Sequence, residues 1–135
     1  MKTSSLEIIR NFFSPRQPQD VARTYRLFAE DVLICDSKQL PWGGCYRGLQ
    51  GVGNLLSRMA QSILAEVQLE KMYLLGGQIH AEGRSWGRAL ATGKRFDVRI
   101  AQRYTFNENN KISHVEIFSA TPALLEALRP NRPAP

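Results

Sequence analysis

The chain has 135 residues, 43% hydrophobic and 22% charged. That suits one soluble domain, which at this size buries roughly two thirds of the surface its unfolded chain exposes, and excludes two separate domains. Eighteen Lys plus Arg against twelve Asp plus Glu leave a net charge of +6, an excess that keeps a small protein in solution without specifying a partner.

No apolar stretch approaches the roughly 20 residues of a membrane helix, and the leader-like segment Leu6 to Phe13 carries Glu7 and Arg10, so a cytoplasmic protein that does not engage a membrane is expected. Two cysteines, Cys35 and Cys45, are too few for a disulfide framework, and with His80 and His114 they show no metal-ligand spacing. Reduced thiols, no metal and no organic cofactor are the corresponding expectations.

Ser4 and Glu7 have capping-box spacing and Leu6, Ile9 and Phe13 recur at helical intervals, which predicts a first helix ended by Pro15. Pro18 and Asp20 open a second, with Val21, Tyr25 and Phe28 on one face. Val32 to Cys35 is an apolar run of strand formers ending at Asp36, so a carboxylate sits at the mouth of a buried strand. Leu40 to Gly48, with Pro41, Gly43 and Gly44 around Trp42 and Tyr46, reads as a tight loop presenting rings. A third helix carries Val52, Leu55, Leu56 and Met59 at i, i+3, i+4, i+7.

From Leu64 the pattern changes to strands. In Gln78 to Leu90 small residues, Ala81, Gly83, Ser85, Gly87 and Ala89, alternate with large ones. Small side chains facing inward either leave a cavity or admit the close approach of a helix backbone. Arg95 to Phe106 alternates most clearly, with Phe96, Val98, Ile100, Gln102, Tyr104 and Phe106 on one face. Ile112 to Ser119 forms the next strand, and Thr121 with Pro122 opens a terminal helix with Leu124, Leu125 and Leu128. Arg129 to Pro135, with three prolines, is expected to be a disordered tail behind a single domain spanning residues 1–128. Helices segregated from four long strands define an α+β chain with an antiparallel sheet.

Phe28 to Val32 leading into Asp36, Pro41 to Gly48, Ala91 to Val98 and Lys111-Ile112 together resemble the nuclear transport factor 2-like superfamily, and within it the SnoaL-like group of polyketide cyclases and steroid delta-isomerases. The resemblance runs from about Leu6 to Leu128. It implies a cone in which a curved antiparallel sheet wraps around three helices from the N-terminal half of the chain and encloses a pocket.

Steroid isomerases of that superfamily move a proton with one carboxylate and hold the enolate oxygen with a tyrosine and a protonated aspartic acid. On this chain the resemblance places Asp36 at the proton-moving carboxylate and Gln102 at the protonated acid, with Phe12 in place of the oxyanion tyrosine and Phe28 and Leu56 in place of supporting tyrosines. The lost hydroxyls leave a more apolar pocket, in which the Gln102 amide still has N–H groups to donate. Trp42, Tyr46, Phe12, Phe28, Leu56, Ser85, Tyr104 and Val115 are the expected ligand contacts. The residues matching the Arg and two Asp of limonene-type epoxide hydrolases are Gly83, Ser85 and Ile117, which removes that chemistry.

Each candidate has a plainer alternative. Asp36 is either a general base or a loop cap accepting backbone N–H bonds. Trp42 and Tyr46 either grip a flat ligand or cover the core, and Gln102 and Tyr104 either face a ligand or stay within the packing. His114 falls on the outer face with Glu116 and Phe118. Arg84, Arg88, Arg95, Arg99 and Arg103 surround Trp86, but Glu82, Asp97 and Glu116 share their face, which suits a homodimer interface or a wet surface better than nucleic acid. Two functions fit: a cofactor-independent isomerase or cyclase acting on an apolar cyclic or polyketide-like molecule, or a non-catalytic ligand-binding or protein-interaction module.

Overall fold

The computed structural model describes residue 22 and residues 25–130. The expected first helix, most of the second, Phe12 and residues 131–135 lie outside the described residues. Residues 25–27 are helical and give way at Phe28 to β1 (Phe28–Asp36). β2 (Gly44–Arg47) leads directly into α1 (Gly48–Ser62). Then follow β3 (Ile63–Leu75), β4 (Gln78–Ala89), β5 (Arg95–Phe106), β6 (Ile112–Ser119) and α2 (Thr121–Leu128).

The six strands form one curved sheet in the order β2-β1-β6-β5-β4-β3. The sheet is antiparallel as expected except at one pair, where β1 runs parallel to β6 with Ile34 beside Val115. A parallel partner needs a long crossover, and here everything between Asp36 and Ile112 supplies it. The other pairs are antiparallel.

Phe28 was expected on a helical face and instead opens β1. An aromatic residue suits either element, and pairing with Ile112 decides for the strand. Glu30 and Asp31 are exposed at an irregularity, after which Val32, Ile34 and Asp36 alternate inward. The stretch read as a loop contains a strand too, since Gly44 to Arg47 pairs with Asp36 back to Leu33.

That pairing also corrects the reading of the cysteines as free thiols. Cys35 and Cys45 stand opposite each other with 4.1 Å between their Cα atoms, and they form a disulfide.

α1 packs on β1 and β2 through Val52 and Leu55, both fully buried, while Leu124 and Ala127 of α2 pack against the sheet beside β5. The core between helices and sheet also holds Val32, Ile34, Ile112, Val115, Trp42 and Tyr104. Two of the small residues of β4 serve the approach of a strand, while Ser85 lines a cavity. A Cβ on Gly83 would stand 2.0 Å from the Gln68 carbonyl oxygen, and one on Gly87 2.0 Å from that of Leu64. The two glycines therefore let β3 fold in over β4. At the far end the Thr92 hydroxyl donates to the Ala127 carbonyl at 2.6 Å and Lys94 Nζ to the Arg129 carbonyl at 2.7 Å, which ties Arg129, the first residue of the expected tail, to the β4–β5 turn.

On the outer face Arg84 pairs with Asp97, Arg99 with Glu70 at 2.7 Å and Arg103 with Glu116 at 2.6 Å. Among the described residues no helix is long and apolar enough to cross a membrane.

Candidate active site

Asp36 closes β1 with its side chain turned inward by the strand's alternation, and it is 7% exposed. One carboxylate oxygen, Oδ1, accepts the Ser37 backbone N–H at 2.7 Å, while Oδ2 accepts the indole Nε1–H of Trp42 at 2.9 Å. Burial raises the pKa of Asp36, and these two hydrogen bonds, which stabilise the charged form, offset part of that rise.

Trp42 thus faces the carboxylate with its indole N–H. Its ring is buried and its single donor is spent on the carboxylate.

Opposite Asp36, β5 sends Val98, Ile100, Gln102 and Tyr104 inward. The Tyr104 hydroxyl donates to Gln102 Oε1 at 2.5 Å, and full burial lifts this phenol well above the usual tyrosine range, so it remains a neutral donor. With Oε1 engaged, the Gln102 amide N–H groups have no partner among the described residues.

Asp36, Trp42, Ser85 and Gln102 line one cavity of about 60 Å³ together with Met59, Ile63, Val67, Val98, Ile100, Ile117, Ser119 and Leu124. Apart from the four residues first named and Ser119, this lining is apolar. Asp36 is its one ionisable side chain among the described residues. A carboxylate and an amide donor without a partner among the described residues thereby meet across a space that holds a few non-hydrogen atoms. Drug-sized ligand pockets run from about 300 Å³ upwards.

The other expected ligand contacts lie outside this lining. Phe28 belongs to the core and meets Tyr25 edge-on at 6.0 Å. Leu56 packs against the core from α1, and Val115 is fully buried beside Ile34. Tyr104 reaches the site only through Gln102. Tyr46 donates its hydroxyl to the Trp42 carbonyl at 2.8 Å and so supports the loop from below.

Sequence reasoning did not mark Met59, Ile63, Val67, Ser119 or Leu124 as cavity residues. For Met59 and Leu124 the helical stripe was a usable signal, since both lie on the apolar faces read for their helices. No three side chains of His, Cys, Asp or Glu converge as metal ligands would among the described residues. His114 lies on the outer face with its Nδ1 3.7 Å from Glu116.

No protein-family model matches the chain, and no curated protein is detectably similar in sequence. Solved structures are similar in fold. A nuclear transport factor 2-like protein of Burkholderia thailandensis superposes with a TM-score of 0.81 at 23% identity, over 96% of this chain and 100% of that one. A putative SnoaL-like polyketide cyclase from Jannaschia has a TM-score of 0.75 at 13% identity, over 95% and 96%. A protein of ketosteroid isomerase-like fold from Catenulispora acidiphila, solved with trimethylamine, has a TM-score of 0.75 at 16% identity, over 97% and 96%. The chain therefore has the nuclear transport factor 2-like fold. Its neighbours of that fold include SnoaL-like and isomerase-like proteins.

Proposed function

We propose that this protein is a cofactor-independent isomerase or cyclase that shifts a proton on the reactive end of an apolar cyclic or polyketide-like molecule. The observation that carries this reading is the position of Asp36 as the one ionisable side chain that the described residues place in a mainly apolar cavity. Burial makes its carboxylate a stronger base than a solvated one, and the two hydrogen bonds fix its orientation. A substrate carbon–hydrogen bond presented to Asp36 gives up its proton there, and the oxygen that gains charge accepts from the Gln102 amide. The cavity seats only the reactive group, so the remainder of a larger substrate stays outside it or displaces part of the lining, with the flexible Met59 the side chain best suited to yield.

The test is solvent deuterium exchange at the carbon next to the carbonyl in a panel of cyclic enones and polyketide-like aromatic ketones, followed by NMR. The wild type accelerates exchange, and Asp36→Asn slows it by roughly a hundredfold or more while binding is kept. Exchange at an unchanged rate in Asp36→Asn makes Asp36 a loop cap. Binding without exchange by the wild type assigns the chain to the ligand-binding alternative.

We further propose a homodimer through the outer sheet face. Trp86 supports it, lying there under the Arg84 guanidinium at 4.6 Å with half-exposed Phe118 on the same face. Arg84, Arg99 and Arg103 are each held by a carboxylate, which leaves Arg88 and Arg95 of the five arginines on this face and weakens the case for nucleic acid. Light scattering at tens of micromolar should give twice the chain mass for the wild type and one chain mass for Trp86→Asp. A monomeric wild type removes the dimer.

A further inference from the structure

We propose that the Cys35–Cys45 disulfide is a positioning bond for the Asp36 site: it closes the loop that lays Trp42 on the carboxylate, and a dithiol reductant opens it. The proposal rests on Asp36 being the working group of the site, as read above.

The geometry begins with chain order. Cys35 immediately precedes Asp36, Cys45 follows Gly44, and in the β1–β2 register Asp36 stands beside Gly44. The covalent bond therefore joins the two ends of the segment that contains both members of the Asp36–Trp42 hydrogen bond. Within it the chain doubles back twice, with the Leu40 N–H on the Ser37 carbonyl at 3.1 Å and the Gly43 N–H on the Leu40 carbonyl at 2.8 Å. It closes so tightly that a Cβ on Gly43 would stand 1.8 Å from the Ser37 carbonyl oxygen.

The remaining ties to this loop are weaker. Tyr46 bonds the Trp42 carbonyl, Arg58 bonds the Tyr46 hydroxyl at 2.9 Å and the Pro41 carbonyl at 3.2 Å, and both Arg58 bonds are exposed. Water replaces exposed bonds of this kind at little cost. β2 has four residues and lies at the sheet edge, where a strand is paired on one side only. Apart from the burial of Leu40 and Trp42 and the buried Trp42–Asp36 bond itself, the disulfide is thus the tie that water does not compete with.

Cys45 is exposed and open to attack. The thiolate of a dithiol attacks Cys45 Sγ, the S–S bond breaks, and Cys35 leaves as a thiolate. The second thiol of the reductant then displaces Cys45 from the mixed disulfide. Two electrons and two protons pass from the dithiol to the two cysteines, and the reductant leaves as its own disulfide. In a cytosolic protein a disulfide is typically of this transient, redox-sensing kind.

Opening the loop withdraws both the indole donor and the ring that keeps water from Asp36. Among the described residues no other ionisable side chain lines the cavity on the inner side of Asp36. On the outer side Glu116 of β6 shares a surface groove with Cys35, Asp36 and Ser37.

The experiment uses the full chain, air-oxidised and then treated with dithiothreitol. Alkylation and mass spectrometry should find no free thiol before treatment and two after. An NMR titration of the Asp36 carboxyl carbon, with the Trp42 indole proton followed in parallel, reads the site without a substrate. Burial is the larger cause of the raised Asp36 pKa, so reduction moves the titration down towards the usual aspartate range and shifts the indole signal. Trp42→Phe with the disulfide intact moves it the other way, because a stabilising bond is lost while burial is kept. Cys45→Ser reproduces the reduced form, and reoxidation of the wild type restores the first titration.

An Asp36 titration identical in both redox states overturns the proposal, as do two reactive thiols in the air-oxidised protein. A redox-dependent titration alongside undiminished turnover by Asp36→Asn leaves the positioning bond standing and removes the general base instead.

Discussion

Replacing Gly83 by alanine tests the close approach of β3 to β4, on which the shape of the cavity depends. The added Cβ would stand 2.0 Å from the Gln68 carbonyl oxygen and 2.9 Å from the Leu69 Cα, whereas ordinary contact starts at 3.4 Å. Both neighbours are backbone atoms of a paired strand, so no side-chain rotation relieves them, and β3 must withdraw by about 1.4 Å. Overpacking of a tight site costs roughly 1–3 kcal/mol, and stretching the ladder bonds, each worth about 1 kcal/mol net, puts Gly83→Ala at the upper end, about 3 kcal/mol. For a domain of this length each kcal/mol is about 3–4 °C in melting temperature, so a loss of about 10 °C is expected. Gly76→Ala is the control. At φ +60° it is strained, but nothing lies within 4 Å of its Cβ, and the expected loss is about 1 kcal/mol, or 3–4 °C. Thermal unfolding followed by circular dichroism compares the two. A Gly83→Ala protein that melts no lower than Gly76→Ala would show that β3 is free to move, and the cavity would lose the wall assigned to it.

Two further outcomes follow from the buried polar groups. Because Asp36 is more readily protonated folded than unfolded, its contribution is fully present below the unfolded value of about 4 and is lost as pH rises through the raised folded value. The stability of the wild type relative to Asp36→Asn, from urea unfolding at a series of pH values, should therefore fall from acid towards neutral pH, and a rise would contradict the burial described. Tyr104→Phe strands the Gln102 oxygen and Gln102→Leu strands the Tyr104 hydroxyl, each at about 1–3 kcal/mol. The double variant should lose less than the two single losses added together, and additive losses in the urea cycle would mean that the two groups do not meet.

The sheet was most legible in the sequence where one face is wet and the other dry. β5 has that form, and its parity alone directs Gln102 inward, where it lies 3% exposed. β2 was illegible because its four residues, which begin at Gly44 behind Pro41 and Gly43, carry the composition of a turn, and only the register with β1 makes them a strand. The same register makes partners of two cysteines that look unrelated in linear order. Asp36 was found by resemblance and by its place at the end of an apolar run. What no local pattern contained was the partner of its carboxylate, since a tryptophan in a glycine-rich loop looks the same whether its N–H meets water or an acid. The cavity residues of α1, β3 and α2 were hidden for a related reason: an apolar stripe states that a face is covered, not that the cover is incomplete.

The parallel pairing of β1 with β6 has a kinetic consequence. β3 to β6 join neighbours in sequence through short turns, whereas Ile34 must find Val115, 81 positions further along. Contacts of such separation carry the largest loop-closure entropy and form late. On a growing chain β1 is made first and has no partner on its inner side until β6 has been synthesised, so its apolar edge waits uncovered. Asp36 and Trp42 belong to the segment that waits, and Ser85 and Gln102 to the meander it joins. The two halves of the cavity thus come together in the step that completes the sheet, and a chain that stops short of that step has the residues of the site but no site.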